Sequence, residues 1–373
     1  MSDWLDIQLG QVADIQAGPF GSMLHQRDYV AVGTPLITVK NLGNNRVTYN
    51  KIDHVSDSDA ERLSKFVLKE GDIVFSRVGY VDRRAYITNR EAGWLFSGST
   101  LRIRVTDTTA IDPKFLSYYF GQKSVKETIK NLSVGATRPS LNTKLLEELD
   151  IFIPPFPNQC AIAGVLSSLD DKIDLLHRQN KTLEALAQTL FRQWFVEEPK
   201  DDWEEGFLRD LVDFKYGKGL KKSNRTGEGF PVVGSSGVVD YHSEYLVDGP
   251  GIITGRKGTL GKVIYLSENF FPIDTTFYIT SKKVSPNLYF EYFLLKSIGF
   301  ENMNTDSAVP GLNRNNALSI EVIVPTQDAI THFNDIVHPM FVKQYSNKNQ
   351  IRTLEKLRDI LLPKLMSGEV RVL

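Results

Sequence analysis

The sequence predicts an α+β protein built twice. Two mixed α/β domains are each followed by a long helix, and the two helices pair as an antiparallel coiled coil about a pseudo-twofold axis. Three observations predict this. Residue pairs recur at a constant offset of 171. The stretches that carry them continue into apolar residues spaced alternately by four and three, the signature of a helical seam. The stretches upstream are short β-branched and aromatic runs bounded by Gly, Asn and Ser, which read as strands. The expected boundaries are 1–153 for the first domain, 154–198 for the first helix, 199–325 for the second domain and 326–373 for the second helix.

The repeat is sharpest at the back of each half. Leu141-Asn142 matches Leu312-Asn313, Ile151 and Ile153 match Val322 and Val324, and Pro154 matches Pro325. Gln179 matches Gln350, and Thr182-Leu183-Glu184 matches Thr353-Leu354-Glu355. Upstream, Ser76-Arg77-Val78-Gly79 echoes Gly255-Arg256-Lys257-Gly258, but the offset drifts. Each half therefore has a variable front and a preserved back, as in other architectures made of repeated units.

After Pro154-Pro155-Phe156-Pro157 the first seam runs through Ile162, Leu166, Leu169, Ile173 and Leu176, then Leu183, Ala187, Leu190 and Trp194. Asn180 takes a seam position between them, where a polar side chain fixes register at some cost in stability. The second seam runs from about Asp328 to Leu362 through Phe333, Val337, Met340, Ile351, Leu354 and Leu361. Gln344 and Asn347 make it less regular, and Pro363 is expected to end or kink it.

In the fronts, strands are expected at Pro35–Val39, Asp72–Phe75, Leu101–Val105, Gly251–Thr254 and Phe277–Thr280, with proline-started helices at Pro113–Phe120 and Pro286–Ile298. The connector Glu197–Gly206 is short and acidic. It would place the second front at the far end of the first helix, so that the second helix runs back beside it. The first seam, Ile162 to Trp194, would hold two readers roughly 50 Å apart at ~1.5 Å per residue.

Composition narrows the function. Net charge is −1, whereas a simple nucleic-acid binder usually carries a basic excess. The acid, however, is concentrated: residues 151–206 hold 5 Lys+Arg against 10 Asp+Glu (−5), with 19 against 18 before them (+1). Residues 207–325 hold 13 against 12 (+1) and 326–373 hold 7 against 5 (+2). Within the second front, Lys215, Lys218, Lys221, Lys222 and Arg225 are five cations in eleven residues with no acid among them. No run is long and apolar enough to span a bilayer, and the opening MSDWLDIQLGQ lacks the basic start of a secretory signal. Cys160 is the only cysteine, which excludes an internal disulfide and fits a reducing cytoplasm.

Motifs of catalysis are broken. Ile153-Pro154-Pro155-Phe156 is shaped like the Asn/Asp-Pro-Pro-aromatic motif of amino-methyltransferases, but isoleucine cannot accept a hydrogen bond from an amino group. It reads instead as a strand end leading into a helix. Gly255 to Val263 misses the phosphate-binding loop by one residue of spacing, and Val263 cannot serve magnesium. A glycine-rich turn presenting Arg256 and Lys257 to phosphates is the better reading. The six histidines show no metal-ligand spacing, and one cysteine cannot complete a zinc site. Three readings stand: a DNA-binding protein, a coiled-coil scaffold whose globular ends bind protein partners, and an enzyme in its own right, which the absent motifs disfavour.

The run Leu141-Asn-Thr-Lys-Leu-Leu-Glu-Glu-Leu through Gln159, Leu169-Asp-Asp-Lys-Ile173, Asn180-Lys-Thr-Leu-Glu and Leu190-Phe-Arg-Gln-Trp-Phe195 resembles the central conserved region of type I restriction-modification specificity subunits. Leu361-Leu-Pro-Lys-Leu-Met-Ser-Gly-Glu369 resembles their C-terminal conserved region. Gly18-Pro-Phe-Gly-Ser22 and Gly71-Asp-Ile-Val-Phe-Ser-Arg77 resemble the openings of their target-recognition domains. The resemblance implies a non-catalytic subunit that reads a split double-stranded DNA target, one half per front. It implies docking of two adenine-N6 methyltransferase subunits and of endonuclease/translocase subunits, with no membrane partner. No cofactor would belong to this chain: S-adenosylmethionine would sit in the methyltransferase, and ATP and Mg in the endonuclease. Candidate DNA contacts are Lys40, Asn41, Arg77, Arg83 and Arg84 in the first front. In the second they are Lys218, Lys221, Lys222 and Arg225, with Ser235, Ser236, Arg256 and Lys257.

Overall fold

The computed structural model describes residues 4–133, 139–280, 285–303 and 311–372. Two long helices, Phe156–Arg192 and Gln327–Met366, run through it. The chain divides inside both of them: one unit takes the residues up to Ile173 and from Arg352 onward, the other Asp174 to Ile351. Of the opening stretch read against a secretory signal, residues 1–3 lie outside the described set.

In the first unit, Leu5–Gln8 pairs antiparallel with Asp150–Ile153 just before the long helix begins. Alternate burial along Asp150–Ile153 gives Ile151 and Ile153 to the core and leaves Asp150 and Phe152 exposed. A five-stranded sheet follows in the order Ala13–Ala17, Thr100–Val105, Ile73–Ser76, Arg84–Tyr86 and Asn44–Asn45. A four-stranded sheet holds Tyr29–Val30, Asp53–Val55, Thr34–Ile37 and Leu95–Phe96.

The second unit repeats the plan with fewer strands. Glu204–Phe207 pairs with Glu321–Val324. The larger sheet is ordered Lys215–Tyr216, Thr276–Ile279, Gly251–Gly255, Val263–Leu266, and the smaller Gly237–His242, Phe230–Gly234, Phe271–Pro272. In both units a strand pairs parallel with a two-residue strand, Ile37 beside Phe96 and Val233 beside Pro272.

The repeated Leu-Asn pairs now have a physical role. Leu141 and Leu312 are buried. Asn142 and Asn313 cap the short helices Thr143–Glu147 and Arg314–Leu318: Asn142 accepts from the Leu145 N–H, and Asn313 from those of Asn315 and Asn316. Such a cap contributes about 1 kcal/mol, so leucine and asparagine are both constrained and their spacing cannot drift. Proline at the start and Asp112 as cap set Pro113–Tyr119 in the same manner. The other proline-led helix begins later than expected, at Tyr289.

Along the first long helix Ile162, Leu166, Ile173 and Leu176 are buried, while Leu169, Asn180 and Leu183 are only partly so. Two corrections to the expected seam follow. Asp170, beside Leu169, is buried. Near the C-terminal end, Phe191 and Phe195 are buried with Ala187, while Leu190 and Trp194 stay half-exposed. Two adjacent apolar residues are offered at each of these last steps. The pair that also meets Phe290 and Phe293 of the Tyr289–Ile298 helix takes the interior.

The second long helix buries Phe333, Val337 and Ile351, and partly buries Leu354 and Leu361. Pro363 does not end it. The helix passes through Pro339 and Pro363 to Met366 and stops where Gly368 adopts φ +72°, with Ser367 N–H bonding the Pro363 carbonyl at 3.0 Å. The extra turn buries Leu365 and Met366 beside Ile162, Ala163 and Leu166. At about 1.5–3 kcal/mol for each large apolar side chain buried, this offsets the ladder bond that Pro363 forfeits.

The helices pair antiparallel within each unit. In the first, Arg358 bonds Asp170 at 2.9 Å. In the second, Asn347 Nδ2 donates to Asn180 Oδ1 at 2.9 Å, and Gln344 Nε2 to Glu184 Oε2 and to the Asn180 carbonyl, both at 3.3 Å. Advancing along one helix thus means retreating along the other. Asn347 is fully buried, so a slip of register would strand its amide without a partner.

A tyrosine from each front seats on a carboxylate of the first long helix. Tyr118 donates to Asp170 Oδ2 at 2.7 Å. Tyr292 donates to Glu184 Oε1 at 2.6 Å, beside Lys296 at 2.8 Å. Burial alone would raise the Glu184 carboxyl, but hydrogen bonds from Lys296 and Tyr292 hold it below the usual carboxylate range. Burial and the Asp170 charge push the Tyr118 phenol well above its ordinary value, so it stays a donor.

Candidate nucleic-acid interface

Several candidate residues, Arg77 and Arg83 in the first front and Ser235, Ser236, Arg256 and Lys257 in the second, lie on turns that leave inner strands of the sheets. In the second front, the Gly255–Gly261 turn follows the strand Gly251–Gly255. Its Arg256 and Lys257 backbone N–H groups both bond the Thr275 carbonyl, at 2.9 and 3.1 Å. Gly258 and Gly261 take φ +82° and +80°, conformations that glycine adopts without strain. The turn Ser235-Ser236 lies against it: a Cβ on Gly255 would come within 3.2 Å of Ser235, and Lys262 donates to the Ser236 carbonyl. Lys218 N–H bonds the Pro272 carbonyl at 3.0 Å, and Ile273 N–H bonds Val233. Those contacts bring the lysine loop to the side where Ser235 emerges.

Lys218, Lys221 and Lys222 are exposed, and none is paired with a described acid. Arg225 differs from them and corrects the expectation. Its side chain is only 13% exposed, lies 3.8 Å from Asp240 and donates to the Leu220 carbonyl at 3.2 Å. It fastens the loop that carries the lysines.

In the first front, Arg77 and Arg83 flank the exposed turn after Ile73–Ser76. Arg77 lies 5.0 Å from the Phe20 ring centroid and Arg83 4.5 Å from that of Tyr80. Lys40 is exposed and paired with Asp53 at 2.8 Å. Two residues expected at DNA are buried instead. Asn41 accepts from Thr38 and donates to the Thr48 and Asn50 carbonyls, closing its own turn. Arg84 points inward from a strand, and its Nε donates to the Ser117 carbonyl at 2.6 Å. Burial pushes its guanidinium down to about 10. Neither can reach a duplex without unfolding its surroundings.

Sequence reasoning missed the aromatic members. Phe20, Tyr80 and Tyr216 are 58%, 67% and 54% exposed, and each lies under an arginine: Arg77, Arg83 and Arg256. Their signal in the sequence is an aromatic residue in a glycine-rich turn, Gly18-Pro-Phe-Gly, Gly79-Tyr80 and Tyr216-Gly217, where nothing apolar needs to be buried.

The arrangement offers cations, amides and rings on turns. Ile153, at the place of the methyltransferase-like motif, is a buried side chain at a strand end, with no group to receive an amino proton. Among the described residues no group of three or more His, Cys, Asp or Glu could hold a metal ion. No described helix is long and apolar enough to cross a membrane.

The family model described as "Type I restriction modification DNA specificity domain" matches residues 1–185 and 200–360. The type I restriction enzyme MjaIX specificity subunit of Methanocaldococcus jannaschii is 26% identical over 418 residues, covering 99% of this chain and 94% of that one. The type I restriction enzyme HindI specificity subunit of Haemophilus influenzae is 23% identical over 477 residues, covering 99% and 100%. The crystal structure of a type I restriction-modification S subunit from M. genitalium shares the fold, with a TM-score of 0.65 at 21% identity over 97% of this chain and 96% of that one.

Proposed function

This chain belongs to the family of type I restriction-modification DNA specificity domains, and from that premise we propose that its two fronts read the two halves of a split duplex target. The observation that carries the proposal is the duplicated frame. Both fronts hang a turn with an arginine on an aromatic ring from an inner strand of their larger sheet. The paired long helices serve as the dock for two adenine-N6 methyltransferase subunits, with endonuclease/translocase subunits joining the assembly. S-adenosylmethionine belongs to the first partner, and ATP and Mg to the second. A single free cysteine supports a cytoplasmic setting.

The test is methyl transfer by reconstitution. The purified chain alone is expected to form no N6-methyladenine, and to direct its formation once the methyltransferase subunits are added. Methyl transfer by the chain alone, free of contaminating enzyme, would refute the assignment.

The lysine loop gives a second expected outcome. Lys218→Ala, Lys221→Ala and Lys222→Ala together should weaken duplex binding. They should also flatten the plot of log K against log salt by roughly one unit for each phosphate that a lysine no longer neutralises. Titrations followed by fluorescence anisotropy measure this, and an unchanged slope would make the loop an ordinary solvated surface. Arg225 is left intact so that the loop keeps its shape.

A further inference from the structure

Arg77 and Arg256 occupy the same place in the two fronts although the sequence around them has diverged. Each directly follows the strand that precedes its turn, Ile73–Ser76 or Gly251–Gly255. The Arg77 N–H bonds the Ser99 carbonyl and the Arg256 N–H the Thr275 carbonyl, both at 2.9 Å. Each arginine carbonyl accepts from the leucine of the repeated Leu-Asn pair, Leu141 or Leu312, again at 2.9 Å. Each guanidinium reaches one carbonyl at 3.4 Å, Gly98 or Asp274, and sits over a ring, 5.0 Å from Phe20 or 4.8 Å from Tyr216.

The ring shelves are built alike from unlike sequence. Gly18 and Gly217 each bond a threonine carbonyl at 3.1 Å, Thr100 or Thr276, and a Cβ on either would lie 2.1 Å from a carbonyl oxygen. The chain is thus pinned at the same point in both fronts. Phe20 lies two residues after its glycine, however, and Tyr216 one residue before. Neither guanidinium is paired with a described acid, and Arg77 Nε has no hydrogen-bond partner. Each is a half-buried cation with donors to spare, a state that an arriving anion relieves.

We propose that Arg77 and Arg256 are equivalent contacts to the DNA sugar–phosphate backbone, one per front, and that neither discriminates between bases. The inference rests on the DNA reading above and adds the role. Two fronts that read different half-sites need different base-contacting side chains. What they share is the phosphate backbone, and a cation kept in one frame in both fronts matches that shared partner. The rings orient the guanidinium and lower the cost of fixing it before DNA arrives. Neighbouring positions that differ, such as Val78 against Lys257, are where half-site discrimination belongs.

The experiment uses the chain reconstituted with its methyltransferase subunits. Random-sequence duplex and a library of candidate targets serve as probes. Arg77→Gln and Arg256→Gln keep side-chain hydrogen bonding while removing the charge, so folding is preserved; matching melting curves check this. Each substitution should flatten the salt dependence of binding by about one unit, and the pair by about two, with the methylated motif unchanged. An unchanged slope would make the arginines structural only. A motif relaxed at one position would make them base readers; either result overturns the inference. A wild-type complex that neither binds duplex nor methylates it would overturn the DNA reading itself, and this inference with it.

Discussion

Phe333→Ala is expected to destabilise the unit spanning Asp174 to Ile351 by about 4 kcal/mol, the range found for emptying a large aromatic site in a packed core. Phe333 is fully buried, and its ring meets Phe195 at 5.3 Å, Phe191 at 5.9 Å, Phe293 at 6.1 Å and Trp194 at 6.3 Å. It therefore joins three elements: both long helices and the helix Tyr289–Ile298 that belongs to the second front. Aromatic contacts of this kind add to the area term, and four rings cannot all close on one void. For a unit of this size the melting point should fall by on the order of 10 °C. Amide exchange in Tyr289–Ile298 should rise with it, because that helix is deprived of the floor it stands on. Phe333→Leu, which refills most of the volume, should recover more than half of the stability. Differential scanning calorimetry with hydrogen exchange measures both quantities, and a destabilisation under 1 kcal/mol would mean that the cluster is not packed around Phe333.

The backs of the two halves are legible in the sequence because their constraints are local. A capping asparagine beside a buried leucine, and a seam repeating every three or four residues, leave their spacing in the chain itself. That is why the offset of 171 survives from Leu141 to Glu184 while the fronts drift. The strand Thr100–Val105 is readable to within a residue from its β-branched run, but its neighbours are not. Pairing with Ala13–Ala17 and Ile73–Ser76 is non-local, and short strands do not encode their partners. The candidate site suffers from the same gap. Arg83 and Arg84 are adjacent cations, and only the start of a strand at Arg84 decides that one faces solvent and the other the interior. Asn41 and Arg225 look like free polar groups until Thr48, Asn50 and Asp240 are brought to them from elsewhere in the chain. The helix past Pro363 is hidden for a related reason: local propensity argues for a stop, and burial of Leu365 and Met366 prevails.

If two separate fronts each specify one block of a target, the long helices set the gap between the blocks. The chain passes between its two units only within those helices, at Ile173–Asp174 and Ile351–Arg352. Inserting one heptad after Leu176 and one after Ile351 keeps each apolar seam in phase, whereas other lengths rotate the stripe away from its partner. Seven residues add ~10 Å to each helix at ~1.5 Å per residue, and at ~3.4 Å per base pair this corresponds to about three base pairs. The decisive experiment maps N6-methyladenine across DNA from cells that carry the methyltransferase partner with either the wild-type or the lengthened chain. The wild type should yield a motif of two specified blocks around an unspecified gap. The lengthened chain should yield the same two blocks with the gap longer by up to about three base pairs and little methylation left at the original spacing. A single contiguous motif, altered blocks, or an unchanged gap in the lengthened protein would contradict the division of the chain into two readers and a ruler.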